Sequence, residues 1–171
     1  AYSAPKSKTK YLGNEGEEKA QRTWNYDFTG NTVKSTTIFG YTGDNLTKSI
    51  TYRSDIAWGT TPVEYDPLGA AVQTFNARSS VTTYTGNEGE EKAQFTYNYN
   101  YEGKIVKTVT DFDYVADALD FSTTYKASNS KFDTSEVAYS APKSKTKYLG
   151  YEGEEKAQRT WNYDFTGNTV K

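Results

Sequence analysis

Carboxylates, lysine amines, phenols and hydroxyls are the reactive groups of this chain, because its 171 residues include no Cys, no His and no Met. Imidazole and thiolate ligation of zinc, copper, haem or iron–sulfur clusters is excluded within this segment, as are Ser–His dyads, Cys–His dyads and disulfides. What remains suits glycoside hydrolysis by paired carboxylates or calcium ligation through oxygen. Three acidic clusters invite the second: Glu15, Glu17 and Glu18, then Glu88, Glu90 and Glu91, then Glu152, Glu154 and Glu155. A fourth set, Asp111, Asp113 and Asp117, is a weak calcium candidate. None of them matches the D-x-[DN]-x-[DN]-G loop, and Lys19, Lys92 and Lys156 close the glutamate clusters as counter-charges, so solvated acidic loops are expected. No spacing singles out one carboxylate pair, so no enzyme activity, metal or cofactor is assigned. The series Lys6, Lys8, Lys10 alternates with Ser7 and Thr9 and puts three cations on one strand face. A lysine-decorated edge strand that resists unwanted pairing is expected there, in preference to a nucleic-acid contact.

The elements that position these groups follow from composition. Leu, Ile, Val and Phe together number only 26 of 171, whereas the chain holds 16 Tyr, 3 Trp and 25 Thr. Stiff aromatic rings and β-branched threonines suit a pleated surface, so an ordered β-rich protein is expected. At this density the rings are expected to be the core itself, with carbohydrate kept as a candidate partner for any left exposed. With a net charge of -2 and no 18-residue apolar run, no membrane span is expected in this segment, and any secretion signal is expected outside it.

Repetition dominates the sequence. Residues 1–34 recur at 138–171 with a single difference, Asn14 against Tyr151, which sets a period of 137 residues. Tandem duplication in a longer array, with further copies flanking, is the expected origin. An older repeat lies inside the period: Tyr11 to Lys34 matches Tyr84 to Lys107 at an offset of 73, with 16 of 24 residues identical. The chain therefore divides into the end of a preceding repeat (1–10), half A (11–83), half B (84–147) and the start of the next half A (148–171).

Each half reads as hairpins. Ala93, Phe95, Tyr97, Tyr99 and Tyr101 alternate with Gln94, Thr96, Asn98 and Asn100, the pattern of a half-buried strand. The equivalent stretch puts Ala20, Arg22, Trp24, Tyr26 and Phe28 on its aromatic face and turns at Thr29-Gly30-Asn31 into a β-branched run ending at Phe39. A further turn at Thr42-Gly43-Asp44-Asn45 leads into a strand from Leu46 to Tyr52. The segment from Asn14 to Gln21 reads equally well as a helical turn or an acidic loop.

The turns share a signature. Tyr26-Asp27-Phe28-Thr29-Gly30, Tyr65-Asp66-Pro67-Leu68-Gly69 and Tyr163-Asp164-Phe165-Thr166-Gly167 each read Y-D-x-x-G, and Tyr99-Asn100-Tyr101-Glu102-Gly103 differs only in Asn for Asp. This resembles the YD repeat of Rhs and teneurin-type proteins, and the long period looks closest to the very large repeat-built surface proteins of environmental bacteria. The resemblance implies consecutive hairpins in a winding sheet on a secreted or surface-displayed polypeptide. Asn31, Ala70 and Lys104 stand where the family often has a basic residue after the Gly, so only Lys104 conforms.

The expectation is an all-β fold of tandem hairpins forming an extended, solenoid-like or filamentous array, in an extracellular structural repeat protein whose partners are copies of itself. Two alternatives stay open: an adhesin stalk that binds carbohydrate or a host surface, and the YD-repeat shell of a polymorphic toxin.

Overall fold

The computed structural model describes residues 4–69 and 74–171. The first three residues of the opening repeat copy, and Ala70 after the second YD turn, lie outside the described residues.

Ten strands follow one another in a single antiparallel sheet whose spatial order is the chain order. They are β1 (Ser7–Leu12), β2 (Lys19–Tyr26), β3 (Val33–Thr42), β4 (Asn45–Tyr52), β5 (Arg78–Thr85), β6 (Lys92–Tyr99), β7 (Val106–Val115), β8 (Ala118–Ala127), β9 (Tyr139–Leu149) and β10 (Lys156–Asn162). The sheet is open, with β1 and β10 at its two edges. One short 3₁₀ turn, Thr134–Glu136, interrupts the all-β pattern. Among the described residues no helix is long and apolar enough to cross a membrane.

The expected hairpins form. β2 and β3 flank the Gly30 turn, and β3 and β4 flank the Gly43 turn. The internal repeat is followed to the residue: β2 and β6, like β3 and β7, start and stop 73 residues apart. Divisions at 10/11, 83/84 and 147/148 fall inside β1, β5 and β9, so they mark the phase of the sequence repeat, while the four-strand unit begins a few residues earlier. Pairing registers also recur, and so do their irregularities, which come just before Tyr11, Tyr26, Tyr41, Tyr52, Tyr84, Tyr99, Tyr114 and Tyr125. An extra residue at each such bulge breaks strict alternation and re-aims the side chains beside it. For this reason the expected aromatic face runs out at the strand ends: Phe28 is 95% and Tyr101 87% exposed at the hairpin tips.

The two faces of the sheet differ. Thr9, Thr23, Thr37 and Thr51 stand opposite one another across β1 to β4, as do Thr82, Thr96, Thr110 and Thr124 across β5 to β8. Their hydroxyls pair within hairpins at 2.8–2.9 Å, from Thr9–Thr23 and Thr37–Thr51 to Thr146–Thr160. On the opposite face Arg22, Ile38, Ile50, Val81, Tyr97, Val109 and Tyr125 form the matching row. Connectors 53–77 and 128–138 supply its cover: Ile56 is buried, and Phe132, Val137 and the following Tyr139 pack on the cluster of Val81, Tyr99, Val106 and Val109. The buried apolar set is small, namely Tyr52, Ile56, Val81, Tyr99, Val106 and Val109. Ladder bonds and half-buried rings therefore carry much of what a larger aliphatic core does elsewhere.

Candidate self-association surface

The seams where one four-strand unit meets the next are built alike. At the β4–β5 seam the Lys19 ammonium donates to the Asp44 carbonyl (3.1 Å) and carboxylate (2.6 Å) and lies 2.8 Å from Glu88 of the next unit. At the β8–β9 seam Lys92 does the same with Asp117 (2.8 and 2.9 Å) and Glu152 (2.9 Å). Desolvation alone lowers both amine pKa values, but the hydrogen bonds to Asp and Glu outweigh it and leave them raised. A second glutamate of each acidic loop reaches back across its seam: Glu91 accepts the Leu46 amide and Glu155 the Leu119 amide, both at 2.9 Å. Tyr84 shares a hydrogen bond with Ser49, and Tyr148 with Ser122. Solvent and salt screen ion pairs of this kind, so they select register more than they hold it.

These contacts decide what the acidic clusters are. The segment after Gly13 is a loop, and its copies place glutamates on lysine and backbone donors of the preceding unit. A lysine ammonium thus occupies the oxygen cage at each seam. Asp111, Asp113 and Asp117 are not drawn together: the first two sit two residues apart on β7, opposite Thr123 and Phe121, while Asp117 lies in the following turn on Lys92. Among the described residues no three acidic side chains cluster as metal ligands.

The YD turns close in one way. In each, the Gly amide donates to the carbonyl three residues back, Gly30 to Asp27, Gly69 to Asp66, Gly103 to Asn100 and Gly167 to Asp164, at 2.9–3.2 Å. Side-chain oxygens complete the turn: Asp27 accepts from the Thr29 amide and hydroxyl, Asp164 from those of Thr166, Asp66 from the Leu68 amide and Asn100 from the Lys104 amide. Tyr26, Tyr99 and Tyr163 precede turns of the sheet, whereas Tyr65-Asp66-Gly69 lies inside connector 53–77, on a small loop tied by the Asn76 amide to the Val63 carbonyl.

Two arginine sites fasten the first connector. Arg22 is 7% exposed and donates from Nη1 to the Ile56 (3.1 Å) and Ala57 carbonyls and from Nη2 to the Thr60 carbonyl (3.0 Å), while the Trp24 indole donates to the same Ile56 carbonyl. Arg78 lies 2.8 Å from Glu64, donates to the Tyr99 hydroxyl and stacks 4.3 Å from the Phe132 ring. Tyr52 donates to Glu64, and burial first, then that carboxylate, pushes its phenol pKa far above the ordinary value. Beside this network Tyr65, Leu68, Lys104 and Phe132 line a groove of about 700 Å³. Sequence reasoning missed Arg22, Glu64 and Arg78 as anchors. The signal was one arginine in an aromatic alternation, at the position that Phe95 fills in the other half.

The lysine series also changes meaning. β1 is an edge, but its copy β9 is an inner strand, where Lys145 and Lys147 lie 4.0 and 4.5 Å from the Phe121 ring and Lys147 pairs with Asp120. In β9 these lysines complement the neighbouring strand, which an edge-blocking device would not do. Comparison with known proteins returns no match: neither a protein-family model, a curated protein nor a solved structure matches the chain.

Acid should loosen the seams and turns. Amide donors, with Leu46 and Leu119 the largest influence, hold Glu91 and Glu155 below the usual carboxylate range, and hydrogen bonds led by Thr29 and Thr166 do so for Asp27 and Asp164. A depressed pKa gives stability that is present above the unfolded value and lost as pH falls through the folded one, so the melting midpoint should drop between about pH 5 and pH 2. Asp111 opposes this, because burial and then Asp113 raise its pKa. Asp27→Asn with Asp164→Asn, which keeps the acceptor oxygen as Asn100 does, should flatten the acid limb; an unchanged pH profile would refute the assignment.

Proposed function

We propose that this chain is part of an extracellular structural repeat protein that builds length by adding strands edgewise to one sheet, giving a cell-surface fibre. The observation that carries the reading is that both seams share one register, from Lys48–Thr83 to Tyr52–Arg78 and from Phe121–Lys147 to Tyr125–Pro142. Lysine–carboxylate, glutamate–amide and Tyr–Ser contacts recur with it, while strand β1 repeats the sequence of the inner strand β9. A period adds eight strands, which at the usual strand spacing advances the sheet by about 38 Å. The YD turns support a place beside the large repeat-built surface proteins of environmental bacteria. An adhesin stalk is the second reading, favoured by the groove in which the Tyr65 and Phe132 rings lie 5.4 Å apart, an aromatic lining suited to sugar.

Thermal unfolding of chains with one, two and four periods tests the first reading. Because each unit is completed by its neighbour, the midpoint should rise with length, by about 5 °C or more from one period to four, and should change little with salt. Equal midpoints would make each period self-contained and shift the reading to a beaded stalk whose function lies in a separate tip.

A further inference from the structure

We propose that the threonine face of the sheet is a dry interface on which a second copy of this chain stacks through the same face, so that two ribbons lie back to back with their connectors outward. The inference rests on the reading of one extended sheet and adds the partner and the surface that meets it.

Every strand contributes to this face in the same way. At two alternate positions each of the ten strands carries Ser, Thr or Asn, as in Ser7-Lys8-Thr9 on β1, Ser49-Ile50-Thr51 on β4 and Thr96-Tyr97-Asn98 on β6. The rows cross both seams unbroken: Ser49 pairs Thr82 and Thr51 pairs Ser80 at the first, and Thr124 pairs Ser144 at the second. Asp, Glu, Lys and Arg make up 25% of the chain, yet these rows hold none of them. Alternation sorts the charges to the other face, where Arg22, Lys48, Asp111 and Lys145 sit between row residues. Phe39 and its copy Phe112 extend the rows opposite Ser49 and Ser122 and give each four-strand unit one half-buried ring.

The polar atoms of the face are largely bonded to one another. Besides the five threonine pairs, Asn25 donates to Ser35 at 3.2 Å and Asn98 to Thr108 at 3.3 Å. A surface built to hold sugar keeps its donors free, whereas pairing within the sheet lowers the cost of taking hydroxyls out of water. The described residues of connectors 53–77 and 128–138 pack on the opposite face. Further copies of the period carry their connectors on that same side, so tandem neighbours lengthen the threonine face without covering it. At the usual spacings two rows across ten strands span about 600 Å², the lower end of the roughly 600–1,000 Å² per partner of a stable interface, and each further period adds about 500 Å². Because the face meets itself the contact is isologous and closes at two ribbons.

Sedimentation of this chain and of chains with two and four periods is the test. A monomer–dimer equilibrium is expected, with an association constant that rises about tenfold or more at each doubling of length and changes little up to about 1 M salt. Thr37→Lys with Thr110→Lys, made in every period, sets charges in the middle of the rows and should lower that constant at least about tenfold. Thr61→Lys, exposed on connector 53–77, adds the same charge elsewhere and should leave it unchanged. Thr110→Val with Thr124→Val removes both members of one hydroxyl pair and should leave the constant unchanged or raised, as a dry contact requires. A four-period chain that stays monomeric at about 100 µM overturns the proposal and needs no variant. So does loss of association in the valine pair, or equal loss in T61K and T37K/T110K. Retention of a monomeric chain on crystalline cellulose, abolished in T37K/T110K, would assign the face to polysaccharide and overturn it too. The seams alone raise the melting midpoint with tandem length, so failure here is distinguishable from failure of the fibre reading.

Discussion

Arg22→Ala should cost about 2–4 kcal/mol of stability and release the connector that follows β4. The guanidinium donates to three backbone carbonyls of that connector from a nearly buried position. Alanine removes all three bonds and leaves the Thr60 carbonyl without this donor, while the Ile56 carbonyl keeps the Trp24 indole and the Ala57 carbonyl the Thr60 amide. Arg22→Lys should recover only part of the loss, because a point charge cannot span three carbonyls as a planar fork does. The chain carries its own control: Arg159 is the same residue one period on, exposed on β10, and Arg159→Ala should change stability by less than about 0.5 kcal/mol. Chemical denaturation of the three variants decides the matter, and equal effects at positions 22 and 159 would refute the anchoring role.

Gly103→Ala should be among the most damaging changes in a turn. Its φ of 73° lies in the left-handed region, and an added Cβ would stand 2.5 Å from the Arg78 amide nitrogen and 2.7 Å from the Ala77 Cα. Both are backbone atoms at the entrance to β5, so the turn and the connector must separate. Gly89 has a similar φ of 79° with open space around its Cβ position, so Gly89→Ala isolates the backbone term. Expected losses are about 1 kcal/mol at Gly89 and about 3 kcal/mol or more at Gly103. Equal losses would show that the close approach of residues 77 and 78 contributes nothing.

How much was legible beforehand depended on whether a feature is local. Alternation from Phe95 to Tyr99 and the Gly30 and Gly43 turns are written in neighbouring residues, and the hairpins they indicate are present. The 73-residue offset likewise carried over into matching strands. Bulges escaped notice because an extra residue is defined by the partner strand, so Phe28 and Tyr101 read as face residues and emerge at the tips. The seam contacts escaped for a related reason: Lys19 opens β2 while Asp44 and Glu88 lie in two separate loops, and only their joint recurrence at Lys92, Asp117 and Glu152 ties them together. Connector 53–77, with no periodicity of its own, hid the anchors Arg22, Glu64 and Arg78.

Strict chain order has a mechanical consequence. When neighbours in space are also neighbours in sequence, tension on the chain ends loads the outermost strand at its terminus, and hydrogen bonds part in succession, as in a zipper. Such a ribbon yields at low force and gives up one hairpin at a time. A period that occupies about 38 Å when folded would pay out roughly 450–490 Å of extended chain. Refolding pairs each strand with its neighbour in the chain, with the β4–β5 pair closing across connector 53–77. A surface fibre of this design would act as an extensible tether that absorbs a pull and recovers, where a rigid rod would transmit it.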